Sequence, residues 1–256
     1  MTSTKNELLN NFKNLISTYT SRADGNLAFH VGDNPLDVTK HHQKLATKLG
    51  YNPKTLVHMK QIHSNIVHKI DADDNFQNPP TCDALITNKE ATPLMVMVAD
   101  CSPILFYDKN KKVIAVAHAG RAGAFTNIIK NVIDTFTSAY NSNPKDIVVS
   151  IGPSIGKCCY EVGREIYDEA KKLNLEFALE KKAESYFLDI GAILYKQLLD
   201  SKIQKHHIEL SRECNCCKSE IYFSYRKSSN TGRFCGIIML QEISSRDKTD
   251  KNNSLE

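Results

Sequence analysis

Two side chains in the stretch VADCSPILFYDKNKKVIAVAHAGRAG, residues 98–123, are of the kind that do chemistry together: Cys101 and His118. Each ends an apolar run, and a polar DKNK turn separates the runs, which predicts an antiparallel hairpin centred between Lys109 and Asn110. That centring sets Cys101 opposite His118, Pro103 opposite Val116 and Leu105 opposite Ile114. Directly opposed residues share a face with Cβ atoms about 4.5–5.5 Å apart. The spacing suits two ligands of one metal or a thiolate–imidazolium pair. It equally suits a plain buried hairpin, since cysteine is among the most buried residue types. Asp100 adds a second ionisable group at a buried strand end, which is costly without a purpose. His118 runs into a glycine-bearing turn, and the helical AFTNIIKNVIDTFTSAY that follows would offer free N–H groups to an anion there.

The elements that must position these residues alternate helix and strand. Leu8, Leu9, Phe12, Leu15 and Ile16 fall on one helical face. Asn34–Pro35 predicts a helix start and Gly50 a stop, around Val38, Leu45 and Leu49. Further helical patterns occupy 124–140, 161–174 and 189–200. Strands are expected at TLVHM, SNIVHKI, DALIT, PLMVMVA, PILFY, VIAVAH, DIVVSI, HIEL and GIIML. No repeat and no Gly/Ser- or Pro-rich linker divides the chain. The reading is one α/β (α+β) domain over residues 1–256, with a mixed β-sheet core flanked by helices and a frayed tail at 241–256.

With 41% hydrophobic and 24% charged residues the 256-residue chain is of ordinary globular composition. Its net charge of +4 leaves no footprint for nucleic acid. No apolar stretch is long enough to span a membrane, and the polar N-terminus is not a secretory signal. The eight cysteines are therefore expected in a reducing cytoplasm, where metal binding or catalysis outranks disulfides. Cys158 and Cys159 are adjacent and are not expected to face one site. Cys214 and Cys217 have CxxC spacing, but no second CxxC exists, so no second metal site is expected. Cys82 and Cys235 are assigned to the core.

Seven ordered segments then resemble one family: NLAFHVGDNP, KQIHSNIV, CDALITN, VADCSPILFYD, AVAHAGRAG, IGPSIGKCCYEVG and CNCCKSEIYFSYRKSSNTGR. They are similar to the laccase-domain proteins, long labelled multicopper polyphenol oxidases and associated with purine nucleoside phosphorylase, adenosine deaminase and peptidoglycan editing. The resemblance implies a laccase-domain-like fold. It also implies one zinc ion held by His63, Cys101 and His118, and small-molecule substrates, a purine nucleoside and phosphate. Two histidines, one thiolate and an open position form the ligand set of a catalytic zinc. The family's usual HAGWRG is HAGRAG here, so a phosphate-binding arginine does not transfer by position. Arg121, Arg226 and Arg233 are the candidates.

The chemistry implied is phosphorolysis at C1′ of the ribose, with attack of activated water on C6 of adenosine as a companion activity. The H-x-E and PCxxC pattern of the nucleobase deaminases is absent, and Asp100 is the acid/base candidate. The alternative class is a cysteine- or zinc-dependent hydrolase acting on peptidoglycan precursors, with Cys101 and His118 as nucleophile and base. Copper is not expected. The chain has nine histidines, and the adjacent members of His41–His42 and His206–His207 are expected to diverge on a helix or a strand. His42 falls near the Val38–Leu45–Leu49 stripe and is expected to be packed or interfacial. Tyr160, Phe223 and Tyr225 could stack on a purine or simply pack in the core.

Overall fold

The computed structural model describes residues 6–242, so most of the tail expected at 241–256 lies outside the described residues. The strands are β1 (Leu15–Tyr19), β2 (Val67–Lys69), β3 (Ala84–Thr87), β4 (Leu94–Val98), β5 (Ser102–Asp108) and β6 (Val113–Ala119). They continue with β7 (Ile147–Ile151), β8 (Glu161–Val162), β9 (Leu179–Lys182), β10 (Ser185–Leu188), β11 (Ile208–Leu210) and β12 (Phe234–Leu240). The helices are α1 (Glu7–Asn10), α2 (Pro35–Leu49), α3 (Arg121–Phe125), α4 (Ile128–Tyr140), α5 (Arg164–Lys172) and α6 (Ile190–Asp200). Among the described residues no helix is long and apolar enough to cross a membrane.

A six-stranded sheet in the order β11-β7-β5-β6-β3-β2 is mixed: β2–β3 and β7–β11 are parallel, the others antiparallel. Its strands read as continuous apolar runs because both faces are covered. On one face Ile104, Phe106, Ala115 and Ala117 meet Ile129, Val132 and Phe136 of α4 and Ile193 and Leu194 of α6. On the other, Leu105, Tyr107, Ile114 and Val116 meet Val96, Phe234 and Ile238 of a second sheet, ordered β1-β12-β4. The far side of that sheet, through Met95, Ile237 and Met239, packs on Leu45 and Ala46 of α2. Helix, sheet, sheet and helix therefore stack in four layers, matching the expected mixed α/β class.

The α2 boundaries follow the sequence reading. The Asn34 side chain accepts from the Leu36 amide, Pro35 opens the first turn, and Gly50 ends the helix in the left-handed region at φ 72°. Three expectations change. The N-terminal helical face ends at Asn10, and Leu15 and Ile16 enter β1, because the β-branched LISTY run pairs along its length with β12. TLVHM forms no strand and makes only a bridge from Val57 to Leu94. The 124–140 pattern is two helices, broken where Asn127 takes φ 56° and caps α4 through its side chain.

The hairpin register also differs. Pro103, not Cys101, pairs with His118, and Leu105 pairs with Val116, because the loop spans 109–112 with Lys112 at φ 53°. A slip of two residues keeps every side chain on its expected face. Cys101 thus stays on the His118 side but sits just before β5, opposite Gly120.

His42 is packed as expected. Its Nε2 bonds the Leu27 carbonyl at 2.8 Å, its ring lies parallel to Phe29, and Nδ1 has no partner among the described residues. Burial first, with the neighbouring His58 and His41 adding to it, pushes the imidazole down to about 4. The unfolded chain, with an ordinary histidine near 6.5, therefore takes up protons that the folded chain refuses. Stability contributed by neutral His42 is full above pH 6.5 and is lost as pH falls toward 4, by up to roughly 3 kcal/mol. Denaturant unfolding of His42→Gln is expected to show a shallower fall over that window than the unaltered protein.

Candidate functional site

The chemistry-bearing residues meet at one end of the β3–β6–β5 strands. His63 lies on the loop before β2, Cys101 immediately before β5, and His118 near the end of β6. Their donor atoms all lie within 4.8 Å of one another. Cys101 Sγ stands 3.9 Å from His63 Nε2, and the two imidazole rings cross at 77° with centroids 4.8 Å apart. Gly120 completes the cradle by lacking a side chain. A Cβ there would fall 2.7 Å from the Cys101 sulfur and 3.3 Å from the His63 ring.

A fourth residue holds this trio, and the sequence reading did not assign it. Asp83, wholly buried in the CDALITN segment, accepts from His118 Nδ1 at 2.8 Å. The same carboxylate accepts the amides of Ile62 (3.2 Å), His63 (3.1 Å) and Ser64 (2.6 Å), and the Ser64 hydroxyl (2.7 Å). Three successive amides wrapped on one anion form a nest, and that nest holds His63 at φ 60° in the left-handed region. The only sequence signal was a lone acid ahead of an apolar strand.

The charges are coupled. Burial would raise the Asp83 acid, but bonding from His118 and Ser64 prevails and holds it down at about 2. Burial would lower His118, yet the Cys101 charge and the Asp83 bond lift it to about 9. Burial would raise the Cys101 thiol, and the charge and hydrogen bonds of His118 and then His63 pull it to about 6. Each charge thus favours the other, and the shifts run toward a thiolate facing an imidazolium. With His118 Nδ1 committed to Asp83, its Nε2 is free to ligate, the usual outer-carboxylate arrangement of metal-bound histidine. Two imidazoles and a thiolate converging in this way fit a borderline-soft divalent ion such as zinc.

The trio opens into a cavity of about 760 Å³, within the range of small-molecule sites. Arg226, Arg233, Tyr160 and Tyr225 share its lining, with Phe29 and His30, which the sequence reading had not assigned. Arg121 is turned instead to Glu169, Nη1 to Oε2 3.1 Å, and lies over the Phe125 ring. Arg226 Nη1 donates to the Glu161 carbonyl at 2.9 Å and its guanidinium lies over the Tyr160 ring. Arg233 Nη1 donates to the carbonyls of Thr231 and Gly232, both at 3.0 Å. Phe223 is a core residue, under the Arg22 guanidinium, whereas Tyr225 is 56% exposed. Asp100, at φ 96°, spends one carboxylate oxygen on the Ser224 hydroxyl and the other on the Arg226 amide, at 2.7 and 2.6 Å. It positions the arginine loop.

Replacing Asp83 by Asn puts an amide donor where the nest supplies only donors. Asp83→Asn is expected to bind zinc about 10–100-fold more weakly in a chelator competition, and to unfold at a lower temperature. Gly120→Ala is expected to weaken zinc binding in the same assay with the circular dichroism spectrum retained, because its methyl group collides with the sulfur.

Residues 16–241 match the family described as Multi-copper polyphenol oxidoreductase laccase. A purine nucleoside phosphorylase of Corynebacterium glutamicum is 36% identical over 233 residues, covering 87% of this chain and 93% of that protein. The purine nucleoside phosphorylase YlmD of Bacillus subtilis is 29% identical, with 91% of each covered. Crystal structures of the hypothetical protein YfiH of Bacillus licheniformis and of YlmD from Geobacillus stearothermophilus superpose with a TM-score of 0.84 each, at 27% and 26% identity. The superpositions cover 89% and 90% of this chain and 93% of either neighbour. By sequence over most of its length and by fold, the chain belongs to the multi-copper polyphenol oxidoreductase laccase family.

Proposed function

We propose that this protein is a zinc-dependent purine nucleoside phosphorylase that also deaminates adenosine. The observation that carries the reading is one cavity lined by the His63–Cys101–His118 donor set, two arginines and two tyrosines. Relatives that bear the phosphorylase name supply the reaction class.

When bound by His63, Cys101 and His118, zinc supplies Lewis acidity toward an oxygen of phosphate or water. The chain's own groups do the rest. Asp83 keeps the proton on His118 Nδ1 and fixes the ring. Arg226 and Arg233 take the phosphate, offsetting its charge by charge-assisted hydrogen bonds. Tyr160 and Tyr225 flank the purine. A phosphate oxygen forms the bond to C1′ as the glycosidic C–N bond breaks, its electron pair leaving with the base. Ribose 1-phosphate and free base are the products. In the companion reaction water replaces the amino group at C6 of adenosine, which departs as ammonia. Copper chemistry has no comparable support, because only this one cluster of the described residues combines histidine with cysteine.

A second reading, a cysteine hydrolase acting on cell-wall precursors, is favoured by one observation, the Cys101 thiol held at about 6 beside His118. The two readings separate on alkylation. Zinc that shields Cys101 from iodoacetamide supports the metal centre, and an unshielded Cys101 with amide hydrolysis supports the dyad.

Zinc-loaded protein given adenosine and phosphate is expected to yield adenine, ribose 1-phosphate and inosine by chromatography. Finding neither free base nor inosine, with His63→Ala behaving identically, would sink the proposal. Arg226→Ala and Arg233→Ala are each expected to raise the KM for phosphate about 10–100-fold, the loss of one hydrogen bond to a charged group. Metal content at the His63 site should stay unchanged in both.

A further inference from the structure

Four sulfurs, none of them from the histidine cluster, converge on one another near the surface of the molecule. Cys158 and Cys159 both approach the Cys217 sulfur, at 3.5 and 3.3 Å, and with Cys214 the four sulfurs lie within 4.8 Å of one another. By sequence alone the adjacent pair is not expected to face one site, and no second metal site is expected. Adjacent residues diverge on a strand, but 157–159 is a turn, closed by amides of Cys159 and Tyr160 on the Gly156 carbonyl, and there both side chains reach one side. The missing second CxxC is thus replaced by a vicinal pair brought up by the fold.

We propose that Cys158, Cys159, Cys214 and Cys217 form a second metal site, a closed four-thiolate centre for zinc that clamps the arginine-bearing wall of the cavity. Four zinc–sulfur bonds of about 2.3 Å arranged tetrahedrally put sulfurs about 3.8 Å apart; the two shortest contacts here, 3.3 and 3.5 Å, lie just inside that value and all four sulfurs lie within 4.8 Å of one another. A disulfide explains the cluster less well. It joins two sulfurs at about 2.05 Å, whereas here two sulfurs approach a third at similar range and all eight cysteines are free. The Gly156 amide donates to the Cys214 sulfur at 3.2 Å, a contact suited to a thiolate ligand. Gly156 leaves the room, since a Cβ there would come within 3.3 Å of the Cys158 sulfur.

The placement gives the centre its purpose. One pair of ligands sits on the loop that carries Tyr160, the other on the loop that leads to Tyr225 and Arg226. Between these loops the backbone makes a short bridge, Ser154 to Cys214, with the Asn215 amide on the Ser154 carbonyl. Arg226 Nη1 reaches the Cys159 carbonyl at 3.4 Å and the Glu161 carbonyl beyond it. A metal joining the loops would fix the guanidinium at the cavity. As a closed set it would leave no position for substrate.

The full chain, purified anaerobically with zinc, is to be assayed by elemental analysis. Two zinc equivalents per chain are expected, falling to one in Cys214→Ser and Cys217→Ser and, separately, to one in His63→Ala. Cobalt in place of zinc in His63→Ala should give the intense visible bands of a tetrahedral thiolate site. Should the serine variants fail to fold, iodoacetamide mapping of the unaltered protein decides. The four cysteines are expected to resist labelling until a chelator is added. A single zinc that disappears entirely in His63→Ala overturns the proposal, as does immediate labelling of all four thiols or a disulfide within the cluster by mass spectrometry. Loss of zinc in the serine variants alone, with none responding to His63, would overturn the proposed active site and leave this one standing.

Discussion

Everything at the candidate active centre hangs on one buried carboxylate. Asp83 has no exposure and accepts from three consecutive amides, a hydroxyl and an imidazole. An anion so placed is tolerable only when it is fully hydrogen-bonded, and the groups that satisfy it are the ones that carry the chemistry. The loop bearing His63 and the strand bearing His118 are tied to the same two oxygen atoms. Their separation is therefore set by a carboxylate and not by side-chain packing. The left-handed backbone of His63 follows from the same nest.

The cavity divides its labour between rigid and looped parts. Cys101 and His118 sit at the ends of strands buried on both faces, where rotamers are locked by packing, and His63 stands on a loop that the Asp83 carboxylate holds. The arginines and tyrosines sit on loops, and those loops converge on Asp100. Its carbonyl accepts the Ile155 amide and its carboxylate takes Ser224 and Arg226. Asp100, next to the cysteine, thus couples the arginine side of the cavity to the histidine–cysteine side through its backbone.

The fold was legible where periodicity is strong and blurred where the chain turns. Apolar runs at 94–98, 102–108, 113–119 and 147–151 are strands buried on both faces, as their composition suggests. Register was not legible to the residue, because the four-residue loop at 109–112 centres the turn between Asn110 and Lys111, one position later than the DKNK stretch suggests. The error of two left the face assignment intact, since side chains alternate with a period of two. Asp83 stayed hidden because a single acid at a strand edge resembles any loop residue. Nothing local distinguishes it until His63 and His118, 20 and 35 positions away, are seen to converge on it. The cysteine cluster is hidden for a related reason: adjacency alone argues against Cys158 and Cys159 facing one site, and only the turn at 157–159 brings both sulfurs to Cys217.

The hairpin has a second end. Its tip, at 109–112, is exposed and lies seven strand residues from Cys101 and five from His118, roughly 20 Å at the rise of an extended chain. β5 is pinned on its other edge by β7, and β6 by β3. Neither strand can slide against its partner without breaking a second ladder. Chain added at the tip would lengthen the loop and stop there, leaving the register at the cysteine end untouched. The tip is a mechanically insulated handle, a place where label, tether or whole domain could be hung without the cavity sensing it.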